Sequence, residues 1–298
     1  MNQPEQESYD VLFRYKWPDG FRCPSCNHTE CYVIRTRRHP LYQCKLCRHQ
    51  TSLQAGTIFE GSRTPLHKWA TAIQLLSDVN SRISAVRLQA EIRVTYKTAW
   101  LMLHRIRQAM SQAEQATPLA GTVKSIMKYY TQPYYSVYNN NLLKSPVIIA
   151  AQVDEDNGPQ HLKFRQLSMD QLAGVHRVRQ HGADAFVSEH VSPSACFHPI
   201  AVPYDHKKTP QICQEYRISR NWIIHTFHYI GPKYIQAYLN EYAFRRNRML
   251  RSEPIETCLY SACVRYTRLP LDYYAPKPDH SARLQHPKLR NWVKPKSA

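Results

Sequence analysis

Apolar positions recur along this chain with two clear rhythms, and each predicts a different kind of element. From residue 64 the spacing is helical. Thr64 is a candidate N-cap with Pro65 at the first helical position, and Leu66, Trp69, Ile73 and Leu76 follow at intervals of three and four. Ser81 reads as the start of a second helix with Ile83, Val86 and Ala90 on one side. Thr95 reads as the start of a third, with Ala99, Leu103, Ile106 and Met110 in one stripe. The break between these two, Arg93-Val94-Thr95, is short. A short helix, a tight turn and a longer basic helix have the outline of a helix-turn-helix, although any three-helix bundle carries the same stripes. After Thr117-Pro118-Leu119-Ala120-Gly121 the rhythm changes, and residues 123–130, 147–153, 162–167 and 185–188 read as strands. Residues 154–158 form a hairpin turn between two of them. Residues 170–179, 212–226 and 232–247 read as helices, the last with Ile235, Leu239 and Tyr242 on one face. The final thirty or so residues are rich in Pro, Lys, Arg and His with little periodicity, which predicts a basic, disordered tail.

The first sixty residues follow neither rhythm for long. Short strand-like pieces, 32–35 and 41–43, flank His39-Pro40. They sit between two cysteine pairs, Cys23-Pro-Ser-Cys26 and Cys44-Lys-Leu-Cys47, which are 17 residues apart. Each pair turns tightly enough to aim two sulfurs at one point, so two pairs supply the four thiolates of a structural zinc site. Zinc fixes a fold whose core is too small to fix itself. Two disulfides or four unrelated thiols are the alternatives, but nothing in the sequence suggests secretion. The start, Met1-Asn2-Gln3-Pro4-Glu5, lacks the apolar segment of a signal peptide, and no apolar run approaches the roughly 20 residues of a membrane span. The expected compartment is therefore the cytoplasm, with Cys31, Cys196, Cys213, Cys258 and Cys263 as free thiols.

Charge narrows the class of partner. Among 298 residues, 40 Lys and Arg against 22 Asp and Glu leave a net charge of +18. Such an excess points to a polyanion, with phosphate contacts supplying most of the affinity. No basic amphipathic helix with a clean apolar face argues for a membrane surface. Candidate contacts are Arg35, Arg37, Arg38, Lys45, Arg48 and His49 in the cysteine module, and Tyr96, Lys97, His104, Arg105 and Arg107 in the third helix.

Three stretches resemble one family of bacterial insertion-sequence transposases with an N-terminal zinc ribbon. The first comprises Tyr42-Gln43-Cys44-Lys45-Leu46-Cys47-Arg48, Gln50-Thr51-Ser52, Gly56-Thr57-Ile58-Phe59-Glu60, and Pro65-Leu66 with Trp69. The second runs from Tyr96-Lys97-Thr98-Ala99-Trp100 through His104-Arg105-Ile106-Arg107. The third comprises Trp222-Ile223-Ile224-His225-Thr226-Phe227-His228, Pro232-Lys233-Tyr234-Ile235-Gln236 and Phe244-Arg245-Arg246-Asn247-Arg248. The resemblance implies a multi-domain α+β chain: a zinc ribbon over 1–60, a helix-turn-helix-like DNA-binding region over 61–117, an RNase H-like α/β domain over 118–267 and the tail over 268–298. It also implies the double-stranded DNA of element ends as partner, a homodimer acting on paired ends, and a place in the bacterial nucleoid.

Strand transfer is an in-line displacement at phosphorus. Two divalent ions held by oxygen ligands activate the attacking oxygen and stabilise the leaving one. The family supplies Asp, Asp and Glu or Asn for them. Laid on Val123-Lys124-Ser125-Ile126-Met127-Lys128-Tyr129, its first motif puts Ile126 where an Asp belongs. Its second falls at Val187-Ser188-Glu189-His190 and offers Glu189, with Tyr204-Asp205-His206 matching beyond. Its third falls at Ile218. Aliphatic side chains bind no Mg2+, so the expectation is a DNA-binding transposase relative with impaired strand transfer. Mg2+ enters only if neighbouring acids such as Asp154, Glu155, Asp184 or Glu215 make the site competent. Two alternatives remain open at this point: an active transposase whose ligands lie elsewhere, and a zinc-ribbon adaptor for protein or RNA.

Overall fold

The computed structural model describes residues 3–36, 39–131, 144–156, 158–174, 177–200 and 209–266. Arg37, Arg38, Tyr204, Asp205, His206 and the tail 268–298 lie outside the described residues.

The chain opens with a helix that its apolar spacing did not announce, α1 (Gln3–Lys16). A small antiparallel sheet follows, ordered β1 (Cys31–Ile34), β2 (Leu41–Cys44), β3 (Gln50–Ser52), with Cys31 opposite Cys44. Next come α2 (Leu66–Ser77), α3 (Ala85–Ile92) and α4 (Tyr96–Gln115). Thr95 caps α4 as its sequence predicts, accepting from Thr98 N–H at 3.2 Å.

The other two starts differ from expectation. Pro65, not Thr64, stands at the cap of α2 and has no side-chain acceptor. The carboxylate of Glu5, on α1, accepts instead from the N–H groups of Leu66 and His67, both at 3.0 Å. Helix α3 begins at Ala85 behind Ser84, whose hydroxyl accepts from Arg87 N–H at 3.3 Å. Ser81 is buried, and its carbonyl accepts from Arg245 at 3.2 Å.

A second sheet has the order β6 (Pro159–Gln166), β5 (Ser145–Val153), β4 (Thr122–Tyr130), β7 (Cys196–Phe197). Strands β4, β5 and β6 are antiparallel neighbours, and β7 runs parallel to β4. Strict alternation divides the residues of β4. Ile126 and Tyr130 pack with α6 (Pro210–Phe227) and α7 (Ile235–Leu250), whereas Val123 and Met127 pack with α5 (Gln180–His190). Residues 185–188 belong to α5 and not to a strand, because Phe186 and His190, one turn apart, bury one side of a helix. The helix expected over 170–179 is a single 3-10 turn, Met169–Gln171; Gly174, at φ +78°, turns the chain back so that Leu172 bridges Val178.

Helix α8 (Ile255–Val264) was not evident in the sequence. It returns to the start of the chain, where Tyr260 stacks on Tyr15 with ring centroids 4.9 Å apart. One continuous hydrophobic cluster joins Leu12 and Trp17, Cys44, α2, α3 and α4 to Leu259 and Cys263. Phe59 and Leu66, on either side of residue 60, share this cluster, whereas Leu119 and Val123, beyond residue 117, pack in another. Among the described residues, no helix is long and apolar enough to cross a membrane.

Candidate metal centre and nucleic-acid interface

Both cysteine pairs fold into the same turn. Asn27 N–H donates to Cys23 C=O at 2.9 Å and Arg48 N–H to Cys44 C=O at 3.2 Å. Cys23 N–H reaches His28 C=O and Cys44 N–H reaches His49 C=O, each at 2.9 Å. Asn27 and Arg48 occupy equivalent left-handed positions, at φ 62° and 61°. The pairing of β1 with β2 then brings the two turns face to face. Cys23 Sγ lies 3.5 Å from Cys47 Sγ, Cys26 Sγ lies 3.5 Å from Cys44 Sγ, and all four sulfurs fall within 4.8 Å of one another. Tetrahedral Zn–S bonds of about 2.3 Å put sulfurs about 3.8 Å apart. The donor set fits structural Zn2+, and four protein ligands leave no open position for catalysis.

Of the candidate cations of this head, Arg35, Lys45 and Arg48 are exposed, with Lys45 paired to Glu30 at 3.1 Å. On α4, Tyr96 and Lys97 are exposed. Three other candidates on that helix differ from expectation: His104 and Arg107 are buried, and Arg105 is half-buried against backbone carbonyls. Arg107 is 1% exposed, pairs with Glu241 of α7 at 2.6 Å and lies over the Tyr238 ring. His104 is buried against Trp100; burial, with the Arg107 guanidinium beside it, pushes its pKa down to about 3, so it carries no charge for a phosphate. Arg105 donates to the carbonyls of Ile58 at 3.2 Å and Glu60 at 3.3 Å.

Sequence reasoning missed the acids that consume arginines. Glu114 of α4 is buried among Arg248, Asn247 at 2.7 Å and His161 at 3.2 Å. Burial first, then Lys163 and Arg251, push His161 down to about 3, so it acts as a neutral ring. Glu215 of α6 accepts from Arg246 and from the Tyr242 hydroxyl at 2.9 Å. The available signal was an acid inside an apolar stripe: Glu114 follows Met110 by four residues and Glu215 follows Ile212 by three.

The three positions aligned with metal-binding carboxylates do not converge. Ile126 is 1% exposed in the core beneath α6, whereas Ile218, on α6 itself, is 41% exposed and outside that core. Glu189 lies on α5, on the opposite face of the sheet, where Arg165 of β6 holds it. From β4 to β6 is two strand spacings, about 10 Å. Of the other acids, Asp154 accepts from Gly158 N–H at 2.6 Å within its turn, and Asp184 accepts from Gln180 at 2.8 Å. Among the described residues, the four cysteines alone form a group able to hold a metal ion.

Comparison with known proteins agrees with the cysteine geometry. Residues 3–50 match the transposase zinc-ribbon domain. The head of this chain is similar to a transposase zinc ribbon. An uncharacterised protein in transposable element ISH50 of Halobacterium salinarum is 34% identical over 109 residues, covering 36% of this chain and 36% of that protein. The chain thus spans about a third of the length of this curated relative. Together the zinc ribbon and this relative support an insertion-sequence transposase family. No solved structure matches the chain. The matched zinc ribbon includes α1, whose Glu5 carboxylate reaches across to start α2.

Proposed function

We propose that this chain is a DNA-binding member of an insertion-sequence transposase family with impaired strand-transfer chemistry. One contrast carries the reading: four cysteine sulfurs converge on a point, whereas Ile126, Glu189 and Ile218 lie apart. The strand order β6-β5-β4-β7, three antiparallel strands and then a parallel one reached through α5, supports an RNase H-like sheet. Helix α3, a turn through left-handed Arg93 (φ 49°) and the longer α4 support a helix-turn-helix. Lys68 Nζ fixes that turn, donating to Arg93 C=O at 3.1 Å. Tyr96 and Lys97 then lead the recognition helix, and Arg35, Lys45 and Arg48 supply a second set of phosphate contacts.

Titration of short duplexes against the full chain across a salt series tests this. Affinity should fall linearly in logarithmic terms with salt, and Lys97→Ala should reduce the slope by about one. Affinity indifferent to salt would overturn DNA binding. Joined products from terminal DNA in Mg2+ or Mn2+ would overturn the impaired chemistry and leave DNA binding standing.

A further inference from the structure

Where α6 and α7 meet the 78–82 loop there is a cavity of about 420 Å³, lined in part by Trp222, Ile218, Met249, Val79, Arg82 and Asn221. Its volume falls in the range of small-molecule sites, about 300–1,000 Å³. Three features give it a chemistry. The first is apolar surface left in water: Val79, Ile218 and Met249 are all exposed large hydrophobic residues, and they gather around one opening. Trp222 adds an aromatic wall, braced by Phe227 at 5.3 Å and Tyr242 at 5.9 Å between ring centroids.

The second feature is charge. No carboxylate lines the cavity, and Arg82, Arg245 and Arg246 all border it. Arg246 is neutralised by buried Glu215, and Arg245 is spent on backbone carbonyls, which leaves exposed Arg82 at the rim as the cation a ligand would meet. The third is rigidity. Arg245 Nη2 donates to the carbonyls of Asp78 at 2.6 Å, Val79 at 3.3 Å and Ser81 at 3.2 Å, tying the loop to α7. A wall held this way does not have to be ordered by its ligand.

An aromatic face, apolar sides, an amide and one guanidinium suit a flat heteroaromatic ring carrying an anion. The 78–82 loop leads directly into α3, and Arg87 of α3 donates to Arg82 C=O at 3.4 Å, so the cavity adjoins the helix pair assigned to DNA. We infer that it takes one unpaired nucleotide of bound DNA, with the base on Trp222 and its phosphate on Arg82. This rests on the DNA-binding reading above. A base in a duplex is stacked and paired, so the nucleotide comes from a strand end or a disrupted pair.

The test compares a blunt duplex with the same duplex bearing a short single-stranded overhang that carries a fluorescent adenine analogue, each titrated with the full chain. The overhang should bind about tenfold more tightly, the stacking contribution of one base on an aromatic ring. The analogue should be quenched on binding. Trp222→Ala should bring the two affinities within about twofold and abolish quenching. Because Trp222 also packs on Phe227 and Tyr242, exposed Arg82→Ala provides a second variant, and it should narrow the difference with the fold intact by circular dichroism. Equal wild-type affinities without quenching would overturn the inference and leave DNA binding standing. Binding of a free deoxynucleotide at Trp222 with no preference for the overhang would also overturn it. If neither duplex binds, the DNA-binding reading fails first.

Discussion

Arg48 holds left-handed backbone at the tip of the second knuckle, where its counterpart in the first is Asn27. Asparagine tolerates that conformation; arginine pays roughly 1–2 kcal/mol for it. Arg48→Gly should therefore leave the melting temperature of the zinc-loaded chain unchanged or higher, while lowering DNA affinity and the salt slope by about one. A fall in both would show that Arg48 braces the knuckle. Glu5 makes a separate prediction. Burial pushes its carboxyl up, but the Leu66 and His67 N–H groups and the His67 ring outweigh this and hold it below the usual carboxylate value. A depressed pKa contributes stability above the unfolded value, near 4.3, that is lost as pH falls through the folded one. Glu5→Gln should cost about 1 kcal/mol at neutral pH and progressively less in acid, read from denaturant midpoints. At this scale the sequence was informative about type and silent about direction. It showed that Arg107 is basic and that Cys23 can bind metal. It did not show that α7 brings Glu241 to Arg107, because that partner lies 134 residues away.

Elements were legible where a local rule decides them. The cysteine spacing produced the ribbon, and the stripes produced α2, α4, α6 and α7, because metal geometry and helical period are both short-range. Helix α5 was misread because a short apolar run carries no period of its own. Helix α8 was missed because Glu256, Thr257, Ser261 and Ala262 interrupt its apolar positions, and its burial comes from neighbours far away in the chain. The positions aligned with carboxylates rest on resemblance alone, and the sheet separates Ile126 from the face that carries Glu189. Since the ribbon has a three-stranded sheet and few interior residues, its metal carries most of its order. Cys44→Ser should lose bound zinc by elemental analysis and lose the resonances of residues 23–52. An unchanged zinc content would contradict the four-thiolate site.

On the scale of the molecule, net charge overstates the cations free to meet a polyanion. Glu114, Glu215 and Glu241 are buried with Arg248, Arg246 and Arg107. Removing one partner of such a pair strands the other, typically at 3–5 kcal/mol, whereas replacing both with apolar residues costs little. Arg107→Met should therefore lower stability by about 3 kcal/mol, and Glu241→Leu added to it should recover much of that loss, with the salt slope of DNA binding unchanged throughout. A changed slope would return Arg107 to the DNA surface. Helix α8 closes the same molecule by packing against α1 beside the zinc ribbon. This gives the protein an order in time. During synthesis the ribbon can gather its metal early, but its apolar flank stays uncovered until residue 266 has cleared the ribosome. A chain that stops short of α8 leaves Tyr15 and the apolar residues beside it in water.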